Sequence, residues 1–140
     1  MKIRTISLII VCTFLIFNAC QIESGIDSID DSEPKTMRMA VFSYINNEII
    51  SNKCAVSGCH LNNQIPIMRS DLAYNNLVNK PSTQGLDYIE PGDPDNSYLY
   101  KKITGAASIS GARMPRGQSP LPQAVTDSIR VWILNGALNN

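Results

Sequence analysis

Histidine is almost missing from these 140 residues: His60 is the only one, so a site that needs two histidines from one chain is excluded. Aromatics make up 6%, with Trp132 the single tryptophan. Neither sign of charge is in excess, with twelve Lys+Arg against twelve Asp+Glu, so a basic nucleic-acid binder or a strongly acidic disordered tail is excluded as the dominant reading. No paired carboxylates flank a cleft motif, no glycine-rich phosphate loop occurs, and a lone histidine cannot be shared with a Ser/His/Asp set. Nothing here reads as catalytic. Internal repeats are absent and strand signals are weak. The length admits one small domain and not two.

A long membrane-spanning run is missing as well. Ile6 to Phe17 is uncharged, but a span needs about 20 apolar residues. Lys2 and Arg4 precede that run and Ala19 follows it, which makes residues 1–19 a secretory signal. Cys20 after Ala19 resembles the lipobox of bacterial lipoproteins, in which the cysteine is lipidated and becomes the new N-terminus. A transmembrane anchor or a plain secreted protein is the alternative. Residues 20–36 carry Glu23, Asp27, Asp30, Asp31 and Glu33 with little apolar content, so they read as a lipid-anchored flexible tether. Cys12 departs with the signal. From 36 onward nine basic residues face seven acidic ones, a formal +2. The domain itself is residues 37–140.

Within it the pattern is helical. From Met37, the residues Val41, Tyr44, Ile45 and Ile49 recur at helical spacing and predict an amphipathic helix to about Ser51. A second helix is expected over Asp71–Val78, with Ser70 as its N-cap. Pro91-Gly92-Asp93-Pro94 is a turn, and Asp95 or Ser97 is expected to cap a short helix through Ile103 that stops at Gly105. Val125, Ile129, Trp132 and Ile133 mark a last helix from about Pro122 to Asn135, stopped by Gly136. The fold class is therefore all-α, about four helices. Its connections 79–94 and 106–121 are long for a compact domain, and bulky apolar residues are few. A domain of this composition needs a filling element such as a disulfide, metal or cofactor.

Cys54-Ala-Val-Ser-Gly-Cys59-His60 offers one. Two cysteines directly ahead of a histidine follow the logic of covalent haem attachment: the thiols add to the vinyl groups, and the histidine is set on one axial face of the iron. The usual motif has two residues between the cysteines, and this one has four. Ser57-Gly58 would let the extra residues bulge. An exported chain meets the compartment where haem is attached, but an oxidising compartment equally favours a Cys54–Cys59 disulfide. Structural zinc would find Cys54, Cys59 and His60 but no further Cys or His as a fourth ligand.

A haem iron also needs a sixth ligand or an open position. Met114 precedes Pro115, which disfavours helix for the residue before it and so puts the thioether on an extended loop. His/Met ligation would suit an electron carrier; an ordinary hydrophobic contact is the alternative for Met114. Met37 and Met39 are expected on the first helix, and Met68 follows His60 too closely, so all three are poorer candidates.

Taken in order, these features resemble the layout of small single-haem cytochromes c. More specifically, Lys53 to Ala137 resembles bacterial cytochrome c-like domains of the planctomycete type. The resemblance rests on Cys59-His60, on Pro91-Gly-Asp-Pro-Asp-Asn-Ser-Tyr-Leu99, on Met114-Pro115 and on Val131-Trp-Ile133 with Gly136-Ala137. It implies a cytochrome c-like fold around one covalently bound haem c, with Cys54 and Cys59 as thioether attachments. His60 would be the proximal iron ligand and Met114 the distal one. In that family the first and last helices cross near the haem, for which Ile45 and Ile49 would meet Ile129 and Trp132. Arg113, Arg116, Lys101 and Lys102 are basic residues near the haem-side segments, available to a propionate or simply solvated. The implied function is electron transfer between redox protein partners of the membrane or periplasm, at a bacterial cell envelope, with Cys20 lipidated. The competing class is a non-redox surface or periplasmic lipoprotein with a Cys54–Cys59 disulfide. A third is an enzyme with an open iron site for peroxide or small ligands.

Overall fold

The computed structural model describes Lys35 and residues 39–140, all within one compact unit, Asp31–Asn140. The expected signal, Cys20 and the tether through Thr36 lie outside the described residues, Lys35 apart.

From residue 39 on, four helical segments carry the domain, and no strand forms among the described residues. The first begins as a short α-helix, α1, Phe42–Tyr44, and runs on as a π-helix, Ile45–Cys54. Then come α2, Ala73–Leu77, a 3-10 turn at Pro94–Asn96, α3, Tyr98–Thr104, and α4, Gln123–Leu134. The all-α expectation holds.

Apolar periodicity foretold the first helix, but not its bounds. Residues 39–41 are not helical, so the described helix begins at Phe42, Met37 itself lying outside the described residues, and it continues three residues past Ser51 to Cys54. Its π register has a local cause: Ile45, Ile49, Ile50 and Cys54 are spaced by four and then by one and four. A wider i→i+5 turn keeps these on the core side. Ala55 N–H closes that register by donating to Ile50 C=O at 2.8 Å.

Helix α2 is shorter than expected, and Ser70 does not cap it. Ser70 C=O instead accepts from the Asn46 carboxamide at 3.0 Å, and the turn before α2 closes on the Arg69 carbonyl. Neither Asp95 nor Ser97 caps α3 through its side chain. Asp93 takes the capping role one turn earlier, its carboxylate accepting from Asn96 N–H. The Ser97 hydroxyl, fully buried, instead binds the turn before it: it accepts from Glu90 N–H at 2.9 Å and donates to Asp93 C=O at 2.8 Å. Gly105 stops α3 with φ 75, as its place in the sequence predicts.

The long connection after α2 is not loose. Val78 bridges Ile89, Pro81 bridges Asp87, and Gly92 N–H donates to Ile133 C=O at 2.7 Å, which ties the turn to the end of α4. Helix α4 packs against α3 and against the π-helix. Ile45, Ile49, Ile129 and Trp132 share one buried core, as the proposed crossing requires. Phe42 joins them, edge-on to Tyr74 at 5.1 Å and tilted over Trp132 at 5.5 Å.

Candidate functional site

Cys54, Cys59, His60 and Met114 come from the end of the π-helix, the loop after it, and a second loop more than fifty residues away in sequence. All four line one open cleft of about 1130 Å³, its solvent-filled mouth included. The cleft floor is Met68, Tyr88, Tyr98, Leu99 and Ile103; Lys53, Lys102 and Arg116 supply its charges, with no carboxylate in the lining.

The stretch between the cysteines is a closed bulge. Cys59 N–H donates to Val56 C=O at 3.0 Å and His60 N–H reaches back to Cys54 C=O at 3.2 Å. Gly58 turns the chain with φ 80, and Ser57 and Gly58 stand in solvent. The extra residues therefore project outward while the flanking cysteines stay on the cleft. Both cysteines are free thiols; Cys54 is half-buried and Cys59 exposed. Burial first, and the neighbouring Cys59 second, push the Cys54 thiol up to about 11.

His60 is oriented by carbonyls. Its Nδ1 lies 3.0 Å from Pro66 C=O and 3.2 Å from Gln64 C=O. Both neighbours are acceptors, so Nδ1 carries the proton and donates, and in the neutral ring Nε2 keeps its lone pair for a ligand. A carbonyl on the far nitrogen is the usual way a metal-binding imidazole is held and made more basic. The backbone supports this: Gln64 N–H donates to Cys59 C=O, and Met68 N–H to His60 C=O. The carbonyls of Gln64 and Pro66 carried no signal in the sequence, since any residue presents one.

Met114 is half-buried on a segment without regular structure, as its proline neighbour predicts. Its N–H donates to Lys102 C=O at 2.8 Å. Lys102 in turn donates through Nζ to Ser110 C=O at 2.9 Å and Ala112 C=O at 2.6 Å. Arg113 donates to Met114 C=O and Gln118 C=O at 3.0 and 2.8 Å. Two of the four basic residues singled out in the sequence thus hold backbone. Arg116 lines the cleft, Lys101 does not, and Lys53, beside Cys54, was missed. Met68, in the cleft floor, is buried.

These residues suit a flat, largely apolar, anionic group bearing a metal. One imidazole nitrogen and one thioether are open to ligation, two thiols can form covalent links, and Lys53 and Arg116 line the cleft with no carboxylate beside them. A caged zinc is another matter: among the described residues no three His, Cys, Asp or Glu side chains converge on a point. No family model, curated protein or solved structure matches this chain.

Proposed function

We propose that residues 37–140 are a cytochrome c-like domain that binds one haem c and carries electrons. One observation carries this reading: two thiols, an imidazole with a free Nε2 and a thioether from a distant loop all line a single cleft. Cys54 and Cys59 would hold the haem as thioethers, His60 and Met114 would ligate its iron, and Lys53 and Arg116 would face its propionates. Bound iron would supply one-electron chemistry, and a thioether together with an imidazole as its ligands would give it a higher potential than two nitrogens would. The chain's part is to keep both ligands fixed through the carbonyls around His60 and the loop around Met114, so that little moves on transfer. With a lipid on Cys20, the tether would keep the domain within reach of redox proteins of the cell envelope.

The test is a pyridine haemochrome spectrum of the full chain, made in a host able to attach haem. The expected result is one haem per chain that survives acid-acetone extraction. A colourless protein two hydrogens lighter than the dithiol would overturn the proposal in favour of a disulfide-bonded lipoprotein without redox function.

A further inference from the structure

The loop that presents Met114 has no helix or strand of its own. Its shape is imposed by the end of α3 and by the loop's own arginine. Lys102 is the centre of this arrangement: its carbonyl receives Met114 N–H while its ammonium, reaching the other way, gathers the carbonyls of Ser110 and Ala112. Arg113 closes the other side by bridging Met114 C=O and Gln118 C=O. Its stem lies over Gly105, where the Cβ of any larger residue would meet Arg113 Cδ at 3.0 Å. Four carbonyls that point away from any regular partner are thereby satisfied by two cations.

We infer that Lys102 and Arg113 are positioning residues that hold the Met114 thioether over the cleft, and so keep that face of the site closed to small ligands. The inference rests on the haem reading but adds to it, because it assigns to these two cations the loop and not a propionate. A thioether is a weak ligand and competes with added ligands only while its loop is fixed. Without the Lys102 ammonium, the carbonyls of Ser110 and Ala112 turn to water and the segment 110–114 loses its tie to α3. Without the Arg113 guanidinium, Met114 and Gln118 are no longer joined. Either loss lets the sulfur leave more often.

The experiment compares the haem-loaded full chain with Lys102→Met, Arg113→Met, Lys102→Arg and the control Lys101→Met. Lys101 lies beside Lys102 on α3 but does not line the cleft, and its side chain makes no hydrogen bond to this loop. Three quantities are read: haem per chain, the thioether-to-iron absorbance of the oxidised form, and the rate of imidazole binding. Expected are full haem content throughout, a weakened thioether band in both positioning variants, and imidazole binding roughly tenfold faster, since each lost charged hydrogen bond weighs on the loop. Lys102→Arg should restore most of the band, and Lys101→Met should match the unaltered chain. If both positioning variants keep the band and the slow imidazole rate while only melting earlier, the residues are merely structural and the inference is overturned. A haem-free unaltered chain overturns the haem reading instead, a separate result.

Discussion

Cys54 and Cys59 sit five positions apart but differ in what surrounds the sulfur. Cys59 is exposed, whereas Cys54 is half-buried at the end of the π-helix with its thiol pushed up to about 11. The thiolate is the reactive form, so in chain made without haem Cys54 should resist alkylation at neutral pH while Cys59 reacts. Labelling at Cys54, followed by peptide mass, should rise about tenfold per pH unit until pH nears 11. The sign of the linked stability follows. A raised thiol value means that folding favours the protonated form, so this contribution is intact below the unfolded value near 8.5 and fades as pH climbs from there to about 11. Equal labelling of both cysteines at pH 7 would show that Cys54 is not shielded as described. The candidate site was legible at this scale because its chemistry is written in residue types: a single histidine, two thiols and a methionine before proline. What orients them was not legible. Main-chain carbonyls hold His60, and no side-chain pattern announces a carbonyl.

At the scale of elements, the parts legible in the sequence were those set locally. Helix α4 and its stop at Gly136 follow from apolar spacing and a glycine able to take φ 90. The caps were not legible, because a serine hydroxyl goes to whichever backbone group tertiary structure brings nearest. Ser97 stands at the N-cap position of α3, but its hydroxyl latches the turn 90–93 instead of capping the helix. That turn carries Gly92, whose N–H joins it to the end of α4, so the latch links two elements. Ser97→Ala would strand the Glu90 N–H beside a fully buried position and should cost about 1–3 kcal/mol. Urea unfolding should show a lower midpoint with an unchanged slope. Because Ser97 does not line the cleft, the haem load expected from the proposed function should stay the same per folded chain. The π register of the first helix was illegible for a different reason: apolar residues four apart fit an α-helix almost as well, and only the next shell, Ile50 and Cys54, tells the two apart.

Across the whole molecule, contacts between the chain's end and its first helix complete the core. Asn140 accepts from two consecutive N–H groups at the start of α1: its side chain from Phe42 at 2.9 Å and its backbone carbonyl from Ser43 at 2.7 Å. Leu138 C=O accepts from the Trp132 indole at 2.8 Å, and Tyr74 donates its hydroxyl to Ala137 C=O at 3.0 Å. The last three residues are exposed and look dispensable in sequence, yet they satisfy polar groups around the Phe42–Tyr74–Trp132 aromatic cluster. A partner 98 positions away leaves no local pattern. Deleting Leu138–Asn140 leaves Phe42 N–H, Ser43 N–H and the indole N–H to solvent, the last of them on a nearly buried ring. The loss should be roughly 2–3 kcal/mol, with water recovering part of the exposed share. Trp132 fluorescence should shift to the red as water reaches the indole, and the urea midpoint should fall. The cleft is lined by none of these three residues, so its lining should keep its arrangement in the folded fraction. An unmoved midpoint together with unmoved emission would mean that the aromatic cluster closes without its tail, and that the first and last helices are joined by apolar packing alone.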